Sequence, residues 1–129
     1  MEGLNILFVD DDKSYLALIE AFFEGRRDIK VRLAESGEDA LKLFNESPVN
    51  LIVTDYNMNR MNGLELARRI RKTSSGTPII MLTGSNLSPE FHNMAVEAGI
   101  SGVLPKSSDL KIILPIINDL FKSPAAIVH

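Results

Sequence analysis

The chain contains no cysteine, which excludes disulfides and thiolate metal sites. It has no excess of basic charge either: the net charge is −3, so electrostatics gives no reason to expect nucleic-acid binding. No apolar run approaches the roughly 18 residues of a membrane-spanning helix, and the N-terminus lacks the basic and apolar regions of a signal peptide. These absences favour a cytoplasmic protein with neither nucleic acid nor a membrane as partner.

The 129 residues, of which 45% are hydrophobic and 24% charged, suit one soluble globular domain. Short apolar runs alternate with stretches whose apolar residues recur at helical spacing. Five of each predict an α/β domain with a parallel sheet, over residues 1–122. Ser14, Ser36 and Ser88 are predicted to be the N-caps of the first, second and fourth helices. Residues 123–129 have a linker-like composition and predict a tail or the start of a linker.

The residues whose side chains could react or bind a ligand lie at the ends of the predicted strands. In chain order these are Asp10–Asp12 after the first strand, Asp55 after the third, Thr83 after the fourth and Lys106 after the fifth. The carboxyl ends of the strands lie at the edge of an open α/β sheet where ligands bind. We therefore expect these residues to form one site.

The chemistry of these residues predicts a phosphoryl acceptor. Three carboxylates with no thiol or imidazole nearby favour Mg²⁺ or Mn²⁺, and Asp10, Asp11 and Asp55 could hold such a cation. The cation would let an anionic phosphoryl group approach a carboxylate. Lys106 would neutralise one phosphoryl oxygen, and the Thr83 hydroxyl would donate to another. Asp55 is the predicted nucleophile.

This ordered set of residues resembles the receiver domain of two-component response regulators. The resemblance covers nearly the whole chain, with the acidic cluster, Asp55, Thr83-Gly84 and Lys106 each after its own strand. It implies a flavodoxin-like, doubly wound (βα)5 fold with strand order 2-1-3-4-5. It also implies a signalling switch, not an enzyme, with activity limited to its own phosphorylation and dephosphorylation.

By resemblance, Asp55 takes its phosphoryl group from the phosphohistidine of a histidine kinase or phosphotransfer protein. Asp11, Asp55 and the Asn57 backbone carbonyl would ligate Mg²⁺ directly, and Asp10 mostly through water. Asp12 would be a bystander. Phosphorylation would alter the face of the last helices and so control a partner or an output domain.

Three positions depart from the family pattern. Val103 stands where an aromatic residue is usual, which excludes a switch based on an aromatic rotamer. Asn59 replaces a common proline in the loop after Asp55. Ser107 replaces the proline that usually follows the lysine through a cis bond. Because a cis bond without proline costs about 3–4 kcal/mol, we predict a trans Lys106–Ser107 bond.

The last predicted helix, which starts near Ser107–Asp109, has more apolar residues than one core-facing stripe needs. The surplus predicts a contact surface, with a homodimer around Ile112, Ile116 and Leu120. The alternative is a helix that is simply buried. Pro115 predicts a kink or a late helix start.

Two other functions stay open at this point. One is a degenerate receiver that binds partners without phosphorylation, which Val103 and Ser107 favour. The other is a haloacid-dehalogenase-type phosphatase using Asp10, because residues 10–14 loosely imitate its nucleophile motif. Against the phosphatase, no second acidic pair follows Lys106 and the chain has no room for a substrate-selecting cap.

Overall fold

The computed structural model describes residues 3–84, 88–107 and 109–122, in which five strands alternate with five helices. The strands are β1 (Leu4–Val9), β2 (Ile29–Ala34), β3 (Leu51–Asp55), β4 (Ile79–Thr83) and β5 (Gly102–Pro105). The helices are α1 (Lys13–Phe23), α2 (Gly37–Glu46), α3 (Gly63–Arg71), α4 (Pro89–Glu97) and α5 (Leu114–Lys122), with a 3-10 turn at Leu110–Ile113. The predicted tail, residues 123–129, lies outside the described residues.

The strands form one parallel sheet in the order β2-β1-β3-β4-β5, which confirms the predicted flavodoxin-like topology. β1, β3 and β4 are buried on both faces, which explains why their sequences read as nearly continuous apolar runs. β2 is an edge strand, and its Lys30 is exposed. The strand order reverses between β1 and β3. The connections that follow these two strands therefore lead to helices on opposite faces of the sheet, α1 after β1 and α3 after β3.

Two apolar layers cover the sheet, one on each face. Ile6 and Phe8 of β1 pack in the layer that contains α1 and α5, whereas Leu7 and Val9 pack in the layer that contains α2, α3 and α4. Successive side chains of a strand point to opposite faces, so one apolar strand serves both layers. The sheet is thereby covered on both faces, and the side chains at its carboxyl edge lie at the end of this core.

The start of α1 differs from the prediction. Ser36 and Ser88 cap α2 and α4 as predicted, each accepting a backbone N–H with its hydroxyl. At α1 the prediction of Ser14 is wrong: the carboxylate of Asp12 accepts the N–H groups of Ser14 and Tyr15 at 2.9 and 3.3 Å. The helix begins directly after Asp12, so this acid satisfies the donors of the first turn.

The last helix confirms the predicted late start. Pro115 lies in the first turn of α5, where a missing N–H removes no intrahelical bond. The predicted homodimer surface is wrong for two of its residues: Ile116 and Leu120 are 5% and 1% exposed and belong to the chain's own core. Ile112 is half-buried against the same core. The apolar surplus is therefore mostly explained by burial. Of the predicted start at Ser107–Asp109, Ser108 lies outside the described residues, and Asp109 caps the 3-10 turn by accepting the Lys111 N–H at 3.1 Å.

None of the helices in the described residues combines the length and the hydrophobicity that crossing a bilayer requires.

Candidate functional site

The carboxyl edge of the sheet brings the predicted residues together. Asp10 directly follows β1, Asp55 ends β3, Thr83 ends β4 and Lys106 directly follows β5. Asp10, Asp55 and Thr83 are all buried, and they are three of the four buried polar residues among those described. β3 and β4 are adjacent, and Asp55 is in register with the residue just before Thr83. The polar groups that the core contains are thus concentrated at one edge.

Three carboxylates form the centre of this edge. Asp10, Asp11 and Asp55 each offer an oxygen, and these oxygens lie within 4.8 Å of one another. Carboxylates this close repel each other unless a cation or a proton compensates their charge. Oxygen donors with no nitrogen or sulfur suit a hard divalent cation, so the residues present fit Mg²⁺ or Mn²⁺. Asn57 lies two residues after Asp55 in an exposed loop, and the role of its carbonyl stays a prediction.

Lys106 supplies the positive charge of the site. Its Nζ lies 2.7 Å from Asp10 Oδ2 and 3.5 Å from Asp55 Oδ2. Asp10 Oδ2 is buried, and within the described chain this ion pair compensates it in place of a well-aligned hydrogen bond. The other oxygen of Asp10 accepts the Asp12 N–H at 2.9 Å. Both oxygens of Asp10 are therefore engaged.

The electrostatics of Asp55 and Lys106 follow from their surroundings. Burial, together with the negative charge of Asp10, raises the pKa of Asp55 to about 6, and Lys106 opposes this shift. Burial lowers the pKa of Lys106, but the close ion pair with Asp10 and the charge of Asp55 outweigh this effect, so the pKa of Lys106 lies above its ordinary value. The lysine is therefore charged at neutral pH. Any further positive charge near Asp55 would stabilise the ionised form of its carboxyl group.

The loop between β3 and α3 contacts the acidic cluster through its backbone. The Asn59 N–H donates to Asp11 Oδ2 at 3.0 Å, a bond that a proline at this position could not make. Sequence reasoning noted Asn59 only as a departure and missed this donor. Gly63 brings the loop back to β3, because a Cβ there would lie 2.6 Å from the Asp55 carbonyl oxygen.

Tyr15 is a neighbour of the site that sequence reasoning missed. Its ring centroid lies 4.6 Å from Lys106 Nζ, and its hydroxyl donates to the Ser107 carbonyl at 2.9 Å. Tyr15 stands on α1, far from Lys106 in sequence, and in the sequence it reads as one more apolar position of that helix. No local pattern connects the two residues.

The structure also describes the other two departures from the family pattern, Ser107 and Val103. The Lys106–Ser107 bond is trans, as predicted, because the described residues include no cis bond. The Ser107 hydroxyl accepts the Asp109 N–H at 3.0 Å and so shapes the start of the following turn. Val103 is half-buried on β5 against the layer that contains α4.

Comparison with known sequences identifies similar proteins. The family model described as "Response regulator receiver domain" matches residues 6–118. Over 121 residues the chain is 31% identical to the transcriptional regulatory protein GlrR of Escherichia coli K12, a match covering 94% of this chain and 27% of that protein. Over 119 residues it is 31% identical to the response regulator UvrY of the same strain, covering 92% and 54%. The chain therefore spans only part of the length of these relatives.

Solved structures share the fold. The chemotaxis response regulator CheY4 of Vibrio cholerae is 28% identical with a TM-score of 0.81, covering 92% of this chain and 98% of that one. The response regulator TrrA of Thermotoga maritima, in complex with Mg(2+)-BeF, is 26% identical with a TM-score of 0.77, covering 91% and 98%.

Proposed function

Because this chain belongs to the response regulator receiver domain family, we propose that Asp55 is its phosphoryl acceptor. The donor would be the phosphohistidine of a histidine kinase or phosphotransfer protein. The observation that carries the proposal is the meeting of three carboxylates and one lysine at the carboxyl edge of the sheet. These groups supply a nucleophile, ligands for a cation and a fixed positive charge within one site.

In the proposed step, an Asp55 carboxylate oxygen attacks phosphorus. The new P–O bond forms as the P–N bond of phosphohistidine breaks, and the imidazole nitrogen keeps the electron pair and takes up a proton from water. Mg²⁺ or Mn²⁺ held by Asp10, Asp11, Asp55 and the Asn57 carbonyl would neutralise phosphoryl oxygens. Lys106 would leave Asp10 partly to contact a further phosphoryl oxygen. Hydrolysis of the acyl phosphate by water would reset the switch.

Asp55 is a better nucleophile candidate than Asp10. Both Asp10 oxygens are engaged, one by the Asp12 N–H at 2.9 Å and the other by Lys106 at 2.7 Å. Asp55 lies 3.5 Å from the same lysine, so its interaction is weaker. This difference disfavours a phosphatase that uses Asp10, in agreement with the family to which the chain belongs.

Intact mass spectrometry after incubation with acetyl phosphate and Mg²⁺ tests the acceptor. We expect one added phosphoryl group on wild type, none on Asp55→Asn, and retention of the adduct on Asp12→Asn as the matched control. An adduct that persists in Asp55→Asn but is lost in Asp10→Asn would identify Asp10 as the nucleophile. A folded wild type that binds Mg²⁺ but takes no phosphoryl group would support the degenerate receiver.

We also infer that the protein acts in the cytoplasm and that its phosphorylation alters the face formed by α4, β5 and α5. Val96 of α4 is a large apolar residue that is exposed on the described surface, and it lines a pocket between α4 and β5 together with Val103. Amide chemical shifts recorded with and without beryllofluoride and Mg²⁺ would test this. Changes confined to the Asp55 edge would contradict it.

A further inference from the structure

Tyr15 makes two contacts that converge on the loop after β5. Its side chain rises from α1 and is 9% exposed. The face of its ring lies under the ammonium of Lys106 at 4.6 Å, and its hydroxyl donates to the Ser107 carbonyl at 2.9 Å. One side chain thus contacts both the charged end of the lysine and the backbone of the next residue.

Lys106 needs such restraints to act as a fixed charge. A lysine side chain has four rotatable bonds and loses considerable rotamer freedom when its ammonium is held in one place. The backbone is restrained from the sheet, because the Lys106 N–H donates to the Thr83 carbonyl at 2.9 Å. Tyr15 restrains the same segment from α1, through its contacts with the Lys106 ammonium and the Ser107 carbonyl. The aromatic face also attracts the ammonium without removing its charge.

We propose that Tyr15 is a positioning residue for phosphoryl transfer, which orders the loop after β5 and aims the ammonium of Lys106 at the Asp55 edge. It does not touch the phosphoryl group itself. This inference rests on the function proposed above, because it assigns Tyr15 a role in that reaction. The competing view is that Tyr15 only fills the apolar layer, to which it also belongs.

Graded substitutions separate the hydroxyl from the ring. We expect Tyr15→Phe, which keeps the ring, to slow phosphorylation by acetyl phosphate and Mg²⁺ by about 3- to 10-fold, the range of one net hydrogen bond. Tyr15→Leu, which loses the ring as well, should slow it by about 10- to 30-fold. Phe22→Leu is the matched control, since Phe22 is a half-buried aromatic of the same helix that packs against Phe23. It should change the rate less than twofold.

A double-mutant comparison tests whether Tyr15 acts through the lysine. If it does, Tyr15→Phe should have no further effect in a Lys106→Ala background. The phosphorylation rates of Lys106→Ala and of the double variant should then agree within about twofold. The Mg²⁺ affinity of Tyr15→Phe should equal that of wild type, because a role limited to the lysine leaves the carboxylates in place. A slowing of the same size in both backgrounds would overturn the proposal.

Backbone ¹⁵N relaxation of Ser107 and Asp109, without any phosphodonor, keeps this proposal separate from the proposed function. We expect these amides to be less ordered in Tyr15→Phe than in wild type and unchanged in Phe22→Leu. If wild type accepts no phosphoryl group, the proposed function fails, and these data still decide whether Tyr15 orders the loop. Equal order in wild type and Tyr15→Phe would overturn the proposal whatever the phosphorylation result.

Discussion

At the scale of single residues, burial and a neighbouring carboxylate disfavour the charged form of Asp55. Burial and Asp10 raise its pKa to about 6 from an ordinary value of 3.8, so the folded protein binds the proton more tightly than the unfolded chain. The ionised form therefore destabilises the metal-free protein. Tighter proton binding by Asp55 in the folded state stabilises the protein. This contribution to stability is complete below the unfolded pKa and is lost as the pH rises through about 6.

Asp55→Asn should consequently stabilise the metal-free protein at pH 7. We expect an increase in the free energy of unfolding of about 1–2 kcal/mol, less than the full shift in pKa would give, because solvent screens part of the interaction. Urea denaturation in the presence of EDTA measures it, and the difference from wild type should shrink towards pH 4. Asp119→Asn, at an exposed position of α5, is the control and should show no such difference. An Asp55→Asn variant that is less stable than wild type at pH 7 would contradict the raised pKa of Asp55.

At the scale of elements, the start of α1 depends on Asp12. Its carboxylate accepts two N–H groups of the first turn, so we expect Asp12→Ala to lower the free energy of unfolding by about 0.5–2 kcal/mol. Ser14→Ala should change it by less than about 0.5 kcal/mol, because Ser14 is exposed within the helix. Chemical denaturation of the two variants measures both values. Equal losses would show that the cap is not at Asp12.

The connection from β3 to α3 depends on Gly63. A Cβ at this position would lie 2.6 Å from the Asp55 carbonyl oxygen and 3.2 Å from Met81 Sδ, so backbone has to move. We expect Gly63→Ala to cost about 1–3 kcal/mol of stability, as overpacking does. The same variant should be phosphorylated more slowly, because the shift displaces Asp55. Gly76→Ala, where a Cβ meets nothing within 4 Å, should change the stability by less than about 1 kcal/mol.

At the scale of the whole molecule, cation binding and folding are coupled. A ligand that binds only the folded state stabilises it, by about 1.4 kcal/mol at a tenfold excess over its dissociation constant. Mg²⁺ should therefore raise the midpoint of thermal unfolding of wild type by several degrees at pH 7.5. The rise should be smaller at pH 5, because protons compete with the cation for Asp55.

Asp11→Asn and Asp55→Asn are the variants in which this thermal shift should be reduced or lost, because each removes a charged ligand. Differential scanning calorimetry with and without EDTA measures the shift. An equal rise in wild type and in both variants would mean that Mg²⁺ acts elsewhere on the chain.

Much of the fold and of the site could be predicted because the signals are local. The apolar run that ends on Asp55 reads as a buried strand whatever lies around it, and the serine caps of α2 and α4 sit directly before their helices. Ser14 failed as a cap because a neighbouring acid, Asp12, was an equally good candidate and the helix begins two residues earlier than a cap at Ser14 allows.

What the sequence by itself determined is the order of strands and helices and the identity of the residues at the carboxyl edge. Parallel strands bring their ends to one edge, so local patterns were enough to place Asp55 and Lys106 in one site. Only the tertiary structure decided that Tyr15 contacts Lys106 and that Ile116 and Leu120 are buried. Burial and side-chain contacts between distant elements depend on how helices pack on the sheet, and the spacing of residues along one element does not contain that information.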